Sequence, residues 1–226
     1  MEERQAFEKE RQGMVAWQIA ARGVRDERVL EVMRRIPRHC FVLPGYEAEA
    51  YQDHPLPIGA GQTISQPYIT AVMTELLCLD GSEVVLEVGT GSGYQAALLS
   101  CLAAQVHTIE YYPVLAENAR RVLSRLGIAN VTVHQGDGSL GLEANAPFGG
   151  ILVTAAAPAV PQPLLDQLDG HGRLVIPVGG SASQELQVWR RAGHGFEHES
   201  IFPVIFVPLR GALGWKEAEW KCYDTL

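Results

Sequence analysis

The sequence predicts an α/β fold, in which a doubly wound, mostly parallel β-sheet carries helices on both faces. From residue 83 onward, apolar segments typical of strands alternate with segments typical of helices, which predicts parallel βαβ units. The strand segments are almost continuously apolar, as expected when helices cover both faces of a sheet. The first of them leads directly into three alternating glycines, Gly89, Gly91 and Gly93, which predicts a tight turn between a buried strand and a helix.

The first 64 residues precede this alternation, and we expect two helices and a long loop there. Apolar residues recur at near-helical spacing up to Gly23, which ends the first helix, and Asp26 is placed to cap a second helix that Pro37 stops. Residues 37–64 are irregular and rich in proline and glycine. Their aromatic and apolar content favours an ordered lid or pocket wall, because loops of this length in a compact protein are usually functional or disordered.

The core elements follow in order, beginning with a helix at residues 66–79. The predicted strands and helices then alternate as strand 83–88, helix 94–104, strand 105–110, helix 113–126, strand 130–135, strand 149–154, helix 161–168 and strand 171–178. An antiparallel strand pair is expected at 185–191 and 198–207. Because no linker or repeat divides the chain, we expect one domain, 1–226, with an N-terminal extension (1–65), a core (66–209) and a C-terminal tail (210–226).

Three acidic residues are predicted to lie at the carboxyl ends of core strands, where ligands bind in folds of this class. Glu87 stands two residues before the first glycine of the turn. Glu110 ends the next strand, 19 residues after Gly91, close to the spacing at which an acid reaches a ribose diol. Asp137 precedes Gly138 after the third strand, and its carboxylate is predicted to accept a hydrogen bond from an adenine amino group. In this order, the three features favour a nucleoside site.

The acid–glycine pattern also distinguishes between nucleotide classes. A pyrophosphate-binding loop more often has Gly-x-Gly-x-x-Gly with no acid inside it. S-adenosylmethionine (AdoMet) has no phosphate and carries a positive sulfonium and ammonium, so an acid beside the turn is electrostatically favourable. The pattern from Glu87 to Gly93 is typical of the nucleoside-binding turn of class I AdoMet-dependent methyltransferases. Each feature alone has a plainer interpretation. The glycine turn is then only a tight connection between a strand and a helix, Glu110 is a solvated strand end, and Asp137 with Gly138 is an ordinary Asp-Gly turn.

Ser65 lies just before the first core helix, and it has two compatible interpretations. Its side chain is predicted to cap the helix, with Pro67 in the first turn, where a missing N–H costs little. A helix N-terminus also presents free N–H groups and the positive end of a dipole, which suits a carboxylate substrate.

Charge and composition exclude several function classes. The net charge of −8 and the lack of a basic block argue against nucleic-acid binding, since the densest basic cluster is only Arg34, Arg35 and Arg38. The seven histidines show neither a hydrolase order nor metal-ligand spacing, so we expect no metal site. The cysteines are expected to be isolated, reduced thiols; they are Cys40, Cys78, Cys101 and Cys222.

The same composition predicts where the protein acts. No apolar run approaches the roughly 20 residues that span a bilayer, and the charged N-terminus has no apolar stretch typical of a signal peptide. We therefore expect a cytoplasmic protein with no membrane partner.

Motifs over nearly the whole chain resemble those of protein-L-isoaspartate O-methyltransferases; they lie at 53–59, 61–69, 86–95, 136–138, 172–179 and 206–209. The Thr-Ile-Ser-Gln-Pro element at 63–67 separates this family from other AdoMet enzymes. The resemblance implies a Rossmann-like sheet and methyl transfer from AdoMet to the free α-carboxylate of L-isoaspartyl residues in damaged proteins and peptides. The chain departs from the common Phe-Val-Pro of the family at 41–44, which predicts a small loop change.

The resemblance also implies roles for individual residues. The active-site serine maps to Ser65. Cofactor binding maps to Glu87, Gly89, Thr90, Gly91, Ser92, Gly93, Glu110, Asp137 and Gly138. Substrate binding is expected at Thr63, Ile64, Ser65 and Gln66, and at Val207, Pro208 and Leu209. We expect a monomer with AdoMet as its cofactor and S-adenosyl-L-homocysteine as the product.

Three alternatives stay open on the sequence. Another AdoMet methyltransferase would keep the glycine turn without needing the Thr-Ile-Ser-Gln-Pro element. A nicotinamide dehydrogenase would prefer Gly-x-Gly-x-x-Gly, which the chain lacks. A non-catalytic AdoMet-binding protein would bind the cofactor and show no turnover with an isoaspartyl peptide.

Overall fold

The computed structural model describes residues 7–220; residues 1–6 and 221–226, which include Cys222 and the end of the predicted tail, lie outside the described part. Helix α1 (Glu8–Gly13) continues into a π-helix (Met14–Ile19) and a 3-10 turn (Ala20–Arg22), which Gly23 ends with a φ of +105°. Helix α2 (Glu27–Arg35) begins after Asp26, whose carboxylate accepts a hydrogen bond from the Arg28 N–H, as predicted for a cap.

The predicted irregular segment 37–64 contains an antiparallel hairpin, which is a correction to the sequence analysis. Strands β1 (Leu56–Gly59) and β2 (Gln62–Ile64) pair across a turn that Gly59, Ala60 and Gly61 make with positive φ angles. The strands have only four and three residues, so neither is long enough to show the alternation that marks a strand in sequence.

The core alternates as predicted. Its elements are α3 (Pro67–Leu76), β3 (Val84–Val88), α4 (Tyr94–Leu99), β4 (Gln105–Glu110), α5 (Pro113–Arg125), β5 (Val131–Gln135), β6 (Phe148–Val153), α6 (Gln162–Asp166), β7 (Leu168–Gly179), β8 (Gln184–Ala192) and β9 (Gly195–Val204). They form a seven-stranded sheet in the order β5-β4-β3-β6-β7-β8-β9. The first five strands in this order are parallel, and β8 and β9 are antiparallel additions, so the predicted fold class is confirmed.

Several predicted boundaries are wrong. Helix α4 ends at Leu99 rather than 104, because residues 100–104 form turns that lead into β4. Strand β7 begins at residue 168 rather than 171 and leaves a shorter helix before it. Strand β9 ends at Val204, and the next residue, Ile205, is 80% exposed as the chain leaves the sheet.

The order of the sheet places the ligand site. Strand order reverses between β3 and β6, and in such sheets ligands bind outside the carboxyl ends of the strands at this point. Apolar clusters fill both sides of the sheet; one joins it to the π-helix and α2–α5, and the other joins it to α6. Within residues 7–220, no helix has the length and apolar character needed to cross a membrane.

Candidate active site

An open cleft with about 820 Å³ of empty space lies at the carboxyl ends of β3 and β6. It brings together most of the residues that the sequence selected: Thr63, Ile64, Ser65, Glu87, Gly89, Thr90, Gly91, Ser92, Glu110, Gly138, Val207, Pro208 and Leu209. These residues come from five separate stretches of sequence.

The glycine turn forms the floor of the cleft between β3 and α4. All three of its glycines have positive φ angles, a backbone conformation that residues with a Cβ rarely adopt. A Cβ on Gly89 would overlap the hydroxyl of Thr154, which lies 2.6 Å from the Gly89 carbonyl oxygen. The turn therefore requires glycine both for its conformation and for the close approach of the end of β6.

Glu110 shapes this turn through its carboxylate. Its Oε2 accepts a hydrogen bond from the Gly91 N–H at 2.8 Å, and its Oε1 accepts one from the Tyr112 N–H at 2.9 Å. Burial raises the pKa of Glu110, and the backbone hydrogen bonds oppose this shift. Each carboxylate oxygen has two acceptor positions, so Glu110 keeps capacity for a ligand hydroxyl in the cleft that it lines.

Glu87 is fully buried beneath the turn. Its Oε2 accepts a hydrogen bond from Thr108, whose hydroxyl lies 2.6 Å from that of Thr90. Its Oε1 has no hydrogen-bond partner among the described residues, although Glu87 lines the cleft. Burial raises the pKa of Glu87 to about 8, and the nearby Glu110 adds to the rise.

We expect the stability of the ligand-free protein to fall as the pH rises from about 4.5 to about 8. Over this range the folded protein keeps a proton on Glu87, whereas the unfolded chain loses it, so deprotonation favours unfolding. Urea denaturation of wild type and Glu87→Gln between pH 5 and pH 9 checks this, because the variant lacks this part of the pH dependence. Glu117→Gln, at an exposed helix position, is the control. An equal loss of stability with pH in wild type and Glu87→Gln would contradict the prediction.

Ser65 lies on one wall of the cleft, between β2 and α3. Its carbonyl oxygen accepts a hydrogen bond from Arg38 at 2.7 Å, whereas its hydroxyl makes no hydrogen bond to another described residue. The predicted capping role is wrong: the N-cap of α3 is Gln66 rather than Ser65, and it makes no side-chain cap bond. Pro67 lies at the start of the helix, as predicted. The Ser65 hydroxyl therefore remains available to a ligand.

The opposite wall is the segment that follows β9. The Val207 carbonyl accepts a hydrogen bond from the Ala156 N–H, and the Leu209 N–H donates to the Ala156 carbonyl, both at 2.8 Å. The Phe206 N–H donates to the Gln184 side chain at 2.7 Å. These bonds fix the segment beside the end of β6. The two walls of the cleft therefore come from different parts of the chain.

Three of the selected residues do not line the cleft. The Gln66 side chain donates to the Asp53 carbonyl, and Gly93 packs against α5. Asp137 uses both carboxylate oxygens within the protein: Oδ1 accepts from the N–H and hydroxyl of Ser139, and Oδ2 accepts from the Ala212 N–H. Asp137 thus anchors the described part of the C-terminal tail.

The structure adds lining residues that sequence analysis missed, among them Thr70, Met73, Gln95, Tyr111, Tyr112, Thr154, Ala155 and Arg210. Thr154 had a usable signal, because it is a polar residue at the end of a predicted strand. Helix α3 contributes Thr70 and Met73 through its spatial position, which no local pattern marks.

The described residues fit AdoMet on two observations. Glu87 lines the cleft, and its buried Oε1 has no hydrogen-bond partner among the described residues. A cation in the cleft would favour loss of the proton that burial holds on Glu87 and would then satisfy this oxygen, and Glu110 adds a second acid. The glycine turn lines the cleft at Gly89 and Gly91, and Gly89 has no room for a Cβ, which would overlap Thr154. Within residues 7–220, no group of three or more histidine, cysteine or acidic side chains is placed to hold a metal ion.

Comparison with known proteins gives consistent matches. Residues 9–214 match the family described as protein-L-isoaspartate(D-aspartate) O-methyltransferase (PCMT). The chain is 54% identical to the protein-L-isoaspartate O-methyltransferase of Methanospirillum hungatei over 93% of this chain and 97% of that protein. A solved protein-L-isoaspartate O-methyltransferase matches with a TM-score of 0.81 and 28% identity, over 90% of this chain and 67% of the other.

A second solved structure shares the fold. It is the beta-aspartate methyltransferase (PCMT) of Plasmodium falciparum in complex with S-adenosyl-L-homocysteine. It matches with a TM-score of 0.77 and 24% identity, over 88% of this chain and 98% of that one.

Proposed function

Because the chain belongs to the protein-L-isoaspartate(D-aspartate) O-methyltransferase family, we propose that its cleft transfers a methyl group from AdoMet to an L-isoaspartyl α-carboxylate. The activity is that of an AdoMet-dependent carboxyl O-methyltransferase acting on damaged proteins and peptides. It starts their repair, since the methyl ester closes to a succinimide with loss of methanol, and water can reopen the succinimide to normal aspartate.

One observation carries the proposal: a cofactor floor and an acceptor wall share one cleft. The floor consists of the glycine turn with Glu87 and Glu110, and the wall presents Ser65 with a hydroxyl that no described residue occupies. A cofactor-binding protein without an acceptor would need only the floor.

The acceptor requires little chemical activation. A carboxylate has an unperturbed pKa of about 4 and is already ionised at neutral pH, so the site needs no general base. When bound, AdoMet supplies an electrophilic methyl group. The work left to the protein is to align the carboxylate and to exclude water.

The residues divide this work between the two sides of the cleft. Ser65 is placed to orient the carboxylate by donating a hydrogen bond from its hydroxyl. The hairpin places Ile58 against Gly91, so the acceptor side closes over the cofactor turn. Val207, Pro208 and Leu209 form the opposite wall, and recognition of many damaged sequences then depends mainly on backbone contacts.

On the cofactor side, two acids have separate roles. Glu110 accepts hydrogen bonds from the ribose hydroxyls. Glu87 supports the glycine turn and offers its unpartnered oxygen to the cofactor ammonium. Gly138 lines the cleft, and a Cβ there would collide with Val88, so glycine lets this loop pack against the end of β3. Asp137, which does not line the cleft and accepts hydrogen bonds from Ser139 and Ala212, acts on the adenine side through the loop that it holds.

The test compares two peptides that differ only in an L-isoaspartyl or an L-aspartyl residue at one position. Each is incubated with the full chain and AdoMet labelled on its methyl group. Base-labile label on the isoaspartyl peptide alone is the expected result. Binding of S-adenosyl-L-homocysteine without label on either peptide would overturn the acceptor assignment and leave a cofactor-binding protein.

We further propose that the chain acts as a cytoplasmic monomer and does not bind nucleic acid. The net charge of −8 disfavours phosphate contacts. The thiols of Cys78 and Cys101 are free, as expected in a reducing compartment.

A further inference from the structure

Arg38 lies directly beneath the acceptor wall. Its side chain is fully buried, and its guanidinium joins two backbone carbonyls: Nε donates to the Ala50 carbonyl and Nη2 to the Ser65 carbonyl, both at 2.7 Å. Ala50 precedes the loop that leads into the hairpin, and Ser65 follows the hairpin. Arg38 therefore ties together the two ends of the segment that contains β1 and β2.

The charge of Arg38 is not neutralised within the described part of the chain. No carboxylate there forms an ion pair with it, and its Nη1 has no hydrogen-bond partner. Its guanidinium carbon lies 5.0 Å from the centre of the Tyr94 ring, and Tyr94 itself lines the cleft. Burial lowers the pKa of Arg38 to about 10, which still leaves the side chain protonated at neutral pH.

A buried cation without an anion is costly in free energy, and such groups are normally paired. If Arg38 served stability alone, a neutral side chain that joins the same carbonyls would avoid this cost. The guanidinium instead donates a hydrogen bond to the Ser65 carbonyl, beside the position where the proposed function binds an anion. An acceptor carboxylate beside Ser65 would supply the negative charge that the free protein lacks.

We propose that Arg38 is a positioning residue for the acceptor: it fixes the backbone of Ser65 and supplies the positive potential that draws a carboxylate to this wall. The proposal rests on the proposed function. The carboxylate loses its charge as it accepts the methyl group, so attraction by Arg38 is stronger for bound substrate than for the transition state. The charge of Arg38 therefore lowers KM and does not raise kcat.

The experiment measures kcat and KM for an L-isoaspartyl peptide, and Kd for S-adenosyl-L-homocysteine, in wild type, Arg38→Lys and Arg38→Gln. Arg38→Gln removes the charge, and we expect KM to rise by at least about tenfold with a smaller change in kcat. Arg38→Lys keeps the charge but not the planar bridge, so we expect a smaller rise in KM. Kd for S-adenosyl-L-homocysteine stays near the wild-type value in both variants.

Arg191→Lys is the matched control, because Arg191 also joins two backbone carbonyls, those of Asp166 and Leu168, but lies outside the cleft. Its KM should equal that of wild type. Thermal unfolding gives the fraction of folded protein in every variant.

Two results would overturn the proposal. Arg38 variants that fold and keep the wild-type KM would assign Arg38 to stability alone, and failure of both variants to fold would lead to the same conclusion. A wild-type protein that methylates neither peptide refutes the proposed function instead, so the two failures are distinguishable.

Discussion

Ser65→Ala is expected to lower kcat for methylation of an isoaspartyl peptide by about 100-fold, the size of loss that misplacement of a reacting group causes. The Ser65 hydroxyl has no bond to another described residue, so its removal leaves the fold intact and the acceptor carboxylate without its orienting donor. Affinity for AdoMet stays nearly unchanged, because the contacts of the glycine turn do not involve Ser65.

Steady-state kinetics and isothermal titration with AdoMet separate these effects. Ser100→Ala is the control, since its hydroxyl bonds to the Ala97 carbonyl outside the cleft. Equal losses in turnover and in AdoMet affinity would contradict the placement of Ser65 at the acceptor.

Glu110→Ala is expected to weaken AdoMet binding by about 100-fold, or ~2.7 kcal/mol. The change removes the ribose acceptor, and it also leaves the Gly91 and Tyr112 N–H groups without their shared partner. Each buried N–H group left unsatisfied costs about 1–3 kcal/mol, so the turn itself loosens.

Glu110→Gln separates these two contributions. The amide keeps one oxygen acceptor and the shape of the side chain, so we expect its loss of AdoMet affinity to lie between those of wild type and Glu110→Ala. Titration with AdoMet measures all three proteins, and Glu117→Gln again serves as an exposed control. Unchanged AdoMet affinity in Glu110→Ala would refute the ribose role.

The fold was predictable because its signals are local and repeated. Continuous apolar strands such as Val84–Val88 and a glycine turn directly after the first of them mark a parallel sheet without any tertiary information. The hairpin was missed for two reasons. Its strands are too short to show a periodic pattern, and its turn depends on positive φ angles at Gly59, Ala60 and Gly61. The predicted helix 94–104 was too long because residues 100–104 have no strong breaker.

The site was predictable where function follows from position along a strand. Glu87, Glu110 and the glycines stand at strand ends, and parallel strands bring these ends together. The sequence does not mark Arg38 as part of the site, because Ser65, its contact partner, lies 27 positions away. Its burial is also not predicted, because it belongs to a cluster of three arginines that is expected to be exposed. The pairing of Asp137 with Ala212 joins residues 75 positions apart, and no spacing rule reports such a contact.

The anchoring of the C-terminal segment by Asp137 links the two binding events. Asp137 and Ser139 hold the backbone of Ala212 and Leu213, while the neighbouring Gly138 lines the cofactor side and Arg210 lines the cleft. We expect any shift of this loop on cofactor binding to reach the opposite wall, because Val207 to Leu209 lead directly into the segment that the loop holds. Thermodynamic linkage makes such coupling reciprocal: whatever factor AdoMet adds to the affinity for a damaged peptide, the peptide adds to the affinity for AdoMet.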